Sequence, residues 1–127
     1  HTFAPVYFAD VLAAQTEIFI VSPFVTKRRV LCVLNDMANA GAKITVVTKP
    51  PENYGEKDRT KITQCIELLT QHGITVITKD RIHQKFAIMD QRIVWYGSIN
   101  FLSYGTAEES VMRIENVDIA GELLGSI

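Results

Sequence analysis

The chain has 127 residues, 47% of them apolar and 21% charged, with a formal net charge of −1. That length suits one domain able to bury a core, and high hydrophobicity with low net charge excludes a disordered chain. The apolar runs fall far short of the roughly 20 residues of a membrane span, and the overall basic charge common in nucleic-acid-binding proteins is missing.

Residues 6–14 predict a short amphipathic helix with Tyr7, Phe8, Val11 and Leu12 as its apolar stripe. Residues 17–21 (EIFIV) predict a buried strand, which Ser22-Pro23-Phe24 breaks. Thr26 is placed to cap a helix running to Ala40, with Val30, Leu31, Leu34, Met37 and Ala38 on its buried face and Gly41 at its end. Residues 43–48 (KITVVT) predict a second strand, and the proline-rich stretch 49–55 a loop. A second long helix is expected over 58–72, buried through Ile62, Ile66 and Leu69 and ended by Gly73, followed by a third strand over 74–78. Residues 86–89 and 93–96 then predict a hairpin around Asp90-Gln91. A further strand over 110–114 and a helix over 118–124, capped by Asp118, complete the order. The fold class expected is α/β: a sandwich around a mixed sheet, with parallel crossovers first and antiparallel pairing later.

The chain opens His1-Thr2-Phe3, with no initiator Met or leader signature, and closes Gly125-Ser126-Ile127 straight after a helical pattern. Both ends suggest one domain, 1–127, taken from a longer multidomain protein. Cys32 and Cys65 sit within helical patterns without metal-type spacing, so two buried free thiols are expected, in a reducing, cytoplasmic setting.

The chemistry concentrates between Lys79 and Asn100. Lys79, Arg81, His83 and Lys85 occupy alternate positions, and in an extended segment all would project to one face, with Ile82, Phe86 and Ile88 facing the core. From there the chain reads His83-x-Lys85, four residues, Asp90, six residues, then Gly97-Ser98-x-Asn100. A neutral imidazole at His83 is a competent nucleophile toward phosphorus. Lys85 can hold a non-bridging phosphate oxygen and offset charge in the transition state. Ser98 and Asn100 supply neutral donors, and Gly97 lets the backbone approach a phosphate closely. Asp90 has the opposite parity to Lys85 and falls at a tight turn, so its expected role is structural.

That spacing resembles the signature of the phospholipase D superfamily, the HKD motif, at all of its fixed positions. The resemblance implies a metal-independent phosphodiesterase that works through a phosphohistidine, with no cofactor. It also implies an acidic residue at the onset of the next strand to orient the histidine; Glu109 fits, with Glu108 as the alternative. Members bring two copies of the motif together, one histidine attacking and the other serving the leaving group and then water. This chain has one copy: His1 lies at the chain start, and His72 lacks a Lys two residues on. A homodimer sharing a two-histidine site is therefore implied.

Ser22-Pro23-Phe24-Val25, Val46-Val47-Thr48-Lys49-Pro50-Pro51 and the run from Trp95 to Ser103 together look like the nuclease-type phospholipase D domains fused to superfamily 1 helicases. This resemblance implies DNA as substrate and a helicase-like parent. A nuclease would gather cations at its site, and Lys27, Arg28, Arg29, Lys79 and Arg81 are the candidates for nucleic-acid contact. Trp95 is expected in the core rather than stacked on a base. A non-catalytic nucleic-acid-binding or dimerisation module is the alternative, ahead of a phospholipase or phosphatidyltransferase; no membrane-binding helix is evident.

Overall fold

The computed structural model describes residues 4–28, 30, 31, 34, 41–97 and 111–127. Helix α1 (Ala4–Ala13) leads into β1 (Glu17–Val21), and residues 27, 28, 30, 31 and 34 are helical. There follow β2 (Lys43–Thr48), a 3₁₀ turn (Pro51–Asn53), α2 (Arg59–Gln71), β3 (Thr75–Thr78), β4 (Phe86–Met89), β5 (Ile93–Gly97), β6 (Val111–Glu115) and α3 (Val117–Gly125). The six strands form one mixed sheet in the order β3-β2-β1-β4-β5-β6. The pairs β3·β2 and β2·β1 are parallel, and β1·β4, β4·β5 and β5·β6 are antiparallel. This is the architecture the element order predicts.

Strand alternation sorts the apolar residues onto the two faces of the sheet. Ile18, Ile20, Ile44, Val46, Ala87, Met89, Ile93 and Trp95 share a core with Tyr7 and Val11 of α1, Val30 and Leu34, and Ile62, Cys65 and Leu69 of α2. Val21, Val47, Phe86, Ile88 and Val94 form the other core with Ala120 of α3. Cys65 is buried and free, as expected, and burial pushes its thiol pKa up. Cys32 lies outside the described residues. Trp95 is a core residue: its ring meets Tyr7 edge-on at 5.6 Å, and its indole N–H donates to Asp10 at 2.8 Å. The same carboxylate accepts from Arg113 of β6 at 2.7 Å and 3.1 Å, pinning α1 across β5 and β6.

Several local expectations need correction. Leu12 and Leu31 are exposed at 60% and 46%, because the buried stripes run through Tyr7 and Val11 and through Val30 and Leu34 instead. The cap of α3 is Asn116, whose side chain accepts from the Ile119 N–H, and not Asp118, which already lies in the first turn. Gly73 ends α2 with φ +79°, a left-handed position that favours glycine.

The segment 79–85, whose alternation would suit an extended strand, forms none. β3 lies at one edge of the sheet, whereas β4 pairs on the far side of β1, so this connection must cross the ends of β2 and β1. Its seven residues, 79–85, can reach roughly 23 Å when extended, and three strand spacings require only about 14 Å. The segment is tied to the sheet at its ends, where Lys79 N–H donates to the Thr48 carbonyl at 2.9 Å and the Lys85 carbonyl accepts from Gly97 N–H, and it is irregular between them. Ile82 still anchors it, buried in the same core as Val21 and Val47 near the ends of β1 and β2.

Candidate active site at the strand ends

The crossing sets the position of the site. The C-terminal ends of β1, β2, β3 and β5 and the N-terminal ends of β4 and β6 lie along one edge of the sheet, as the pairs Val21↔Phe86, Thr48↔Thr78, Phe86↔Tyr96 and Gly97↔Val111 require. The 79–85 segment runs along that edge and reverses the direction in which strands are added. In open α/β sheets, such switch points at carboxyl strand ends are where ligands bind.

His83 is exposed there, and a cavity of about 390 Å³ is lined by His83, Lys79, Arg81, Ile82 and Gln84 together with Ser126 and Ile127 beyond α3. The Ser126 hydroxyl donates to Gln84 Oε1 at 3.0 Å, holding the end of α3 against this segment. Lys85 is half-buried, one residue before β4. Its carbonyl accepts from the Gly97 N–H at 3.4 Å, so the two halves of the motif meet across the β4·β5 pair. Ser98, Asn100 and Glu109, and Glu108 as its alternative, lie outside the described residues, although the chain leaves the sheet at Gly97 and re-enters at Val111 on this same edge.

Asp90 stands at the opposite end of β4, about 13 Å away by strand rise. Its backbone sits at φ 54° and that of Gln91 at φ 55°, and Arg92 N–H closes the turn by donating to the Met89 carbonyl at 3.1 Å. Its carboxylate accepts from the backbone N–H groups of Gln15, Thr16 and Glu17 at 3.1, 2.7 and 3.1 Å and from the Thr16 hydroxyl at 2.9 Å. Burial works to raise its pKa, but these donors outweigh it and hold the group at about 2. Asp90 thus ties the hairpin to the entry of β1, and it is remote from His83.

The other predicted cations form a second group. Lys27 and Arg28 are exposed at the start of the helical segment after β1 and line a larger cavity with Lys61 of α2, Phe24 and Tyr54. Arg29 lies outside the described residues. Lys61 and this cavity had no signal in the sequence, since α2 is far from the motif along the chain; only the interruption at Ser22-Pro23-Phe24 pointed to that loop. Among the described residues, no three His, Cys, Asp or Glu side chains cluster as a metal site would require.

This arrangement defines a class. A His and a Lys two residues apart immediately precede an antiparallel strand of a mixed sheet, and a glycine of the next strand bonds to the lysine's carbonyl. The chain belongs to the phospholipase D-like family: the family model described as "Cardiolipin synthase, PLD-like domain" matches residues 8–126. Members of this superfamily are phosphodiesterase-type enzymes. Among solved structures the chain is similar to Nuc, a phospholipase D family member from Salmonella typhimurium, with TM-score 0.72 and 19% identity over 97% of this chain and 82% of that one. It is similar to NucT from Helicobacter pylori with TM-score 0.69 and 16% identity, covering 98% and 84% of the two chains. It is also similar to phosphatidylserine synthase from Haemophilus influenzae with TM-score 0.72 and 12% identity, over 97% of this chain and 33% of that one. At these identities the likenesses speak to the fold alone. No curated protein matches the chain. No helix among the described residues is long and apolar enough to cross a membrane.

Proposed function

We propose that this domain is a metal-independent phosphodiesterase that cleaves DNA. A ring nitrogen of His83 attacks phosphorus, the bond to the leaving oxygen breaks, and the phosphoryl group remains on the histidine. His83 of the partner subunit in a homodimer gives its proton to the leaving oxygen, then takes one from the water that hydrolyses the phosphohistidine. Lys85, Ser98 and Asn100 hold the non-bridging oxygens, and Glu109 orients the imidazole. The observation that carries this reading is the crossing segment itself. It brings Lys79 and Arg81 around the cavity that His83 lines, so a phosphodiester backbone meets the nucleophile and two cations together. The sequence runs that resemble helicase-linked nuclease domains support a helicase-like parent protein.

The test is digestion of labelled single- and double-stranded DNA in EDTA by the wild type and His83→Ala, with the mass of the active species read by light scattering. Cleavage by a dimer in EDTA, lost in His83→Ala, is expected. Cleavage that chelation abolishes and a divalent ion restores would overturn the mechanism, and DNA binding without cleavage would favour a non-catalytic module. Phosphatidyl transfer is the second reading, favoured by the description of the matching family model. It predicts headgroup exchange on phosphatidylglycerol under the same conditions, with DNA left intact.

A further inference from the structure

The larger cavity, of about 830 Å³, lies beside the loops that leave β1 and β2. It therefore opens on the same sheet edge as His83, and it has the size of a small-ligand site. Its aromatic wall is Phe24 and Tyr54, whose rings meet edge to face at 5.4 Å and 88°.

That wall is fixed in advance. The Ser22 hydroxyl donates to the Phe24 carbonyl at 2.9 Å, and Thr48 Oγ1 and Lys49 N–H both donate to the Pro23 carbonyl at 3.1 Å. Tyr54 Oη accepts from the Val25 N–H at 2.8 Å, and Lys49 Nζ stands 5.1 Å from the centre of the Phe24 ring. Phe24 nevertheless remains 40% exposed. A large apolar ring is thus held in water by a loop that is tied down on several sides. Among the described residues that line the cavity are the cations Lys27, Arg28 and Lys61 and one carboxylate, Asp58.

We infer that this cavity receives an unstacked base of a single-stranded nucleic acid, packed against Phe24 and Tyr54, with the adjoining phosphates on Lys27, Arg28 and Lys61. The inference rests on the nuclease reading and adds to it a preference for single strands. A base needs an aromatic surface and its backbone needs cations, and the cavity combines the two. A duplex keeps its bases stacked and cannot fill the aromatic wall. An acyl chain would cover the wall but leave the cations unmatched along its length.

The experiment is fluorescence anisotropy of a short labelled single strand and of its duplex, with the wild type, Phe24→Ala and Phe24→Trp. The wild type should bind the single strand more tightly than the duplex. Phe24→Ala should weaken the single strand by about tenfold, and Phe24→Trp should restore it. Phe24→Leu, which keeps the apolar bulk and loses the ring, covers the case in which Phe24→Ala fails to fold, and it should weaken single-strand binding as well. Equal losses on both DNA forms, or no loss on the single strand, would overturn the inference. So would a loss confined to phosphatidylglycerol vesicles, which would assign the cavity to a lipid chain. Hydrolysis of bis(p-nitrophenyl) phosphate separates this inference from the reading beneath it. If that diester is not cleaved while ring-dependent single-strand binding persists, the nuclease reading fails and the base site stands. If it is cleaved and Phe24→Ala leaves the ratio of kcat/KM for single strand over diester unmoved, the base site alone fails.

Discussion

Replacing Asp90 by Asn keeps the shape of the side chain and removes the charge that three backbone N–H groups and the Thr16 hydroxyl converge on. The carboxyl is held at about 2 against an ordinary 3.8. That difference corresponds to roughly 2.4 kcal/mol, at about 1.36 kcal/mol for each pH unit. Solvent at the sheet end screens part of it, leaving about 1.5 kcal/mol. A depressed carboxyl stabilises the fold fully above its unfolded value and loses that contribution as pH falls through its folded value. The window is therefore from about pH 4 down to about pH 2. Urea unfolding across that range should show the wild type about 1.5 kcal/mol more stable than Asp90→Asn at pH 7, with the two curves converging near pH 2. Because β4 separates Asp90 from His83, phosphodiesterase activity of the folded variant should stay within about twofold of the wild type. Equal stability at pH 7, or parallel acid losses in the two proteins, would refute the electrostatic account of this turn.

Asp10→Ala should cost about 2 kcal/mol in chemical denaturation, because it strands the Trp95 indole N–H inside the core and leaves Arg113 without its short bond. The Arg113 bonds and the Trp95 bond, acting against burial, hold the Asp10 carboxyl below its usual range, so acid should weaken this tie as well. Gln91→Gly should raise stability by about 0.5 kcal/mol, since φ 55° suits glycine far better than glutamine; a fall in the unfolding midpoint would count against the positive-φ assignment. Asn116→Ala should cost about 1 kcal/mol through loss of the α3 cap, whereas Asp118→Ala should cost less.

The sheet was legible in the sequence because its strands are short apolar, β-branched runs bounded by strong punctuation. Ile18 and Ile20 face one core and Val21 the other, as a period of two demands. The hairpin around Asp90 was legible for the same reason, and the fixed spacing from His83 to Gly97 pointed to the site edge. The path of 79–85 was not legible. Alternation there mimics a strand, and only the sheet order, with β4 beside β1 instead of β3, shows that the segment crosses the strand ends instead of lying alongside a neighbour. The partners of Asp90 were equally hidden, since they are backbone N–H groups some 75 residues earlier and carry no side-chain signal. Asn116 and Asp118 do not separate in the sequence, because both residue types cap helices and they lie only two residues apart. The aromatic and basic cavity joins Phe24, Tyr54 and Lys61, which belong to separate elements and form no sequence motif.

The proposed reaction places the phosphoryl group on His83. It is tested most directly by mixing the protein in EDTA with an oligonucleotide bearing radiolabelled phosphate at the scissile position, quenching in alkali and measuring label on the protein. A base-stable, acid-labile label is expected on the wild type and not on His83→Ala. Label that persists in His83→Ala, or DNA cleavage with no labelled protein at any quench time, would contradict it.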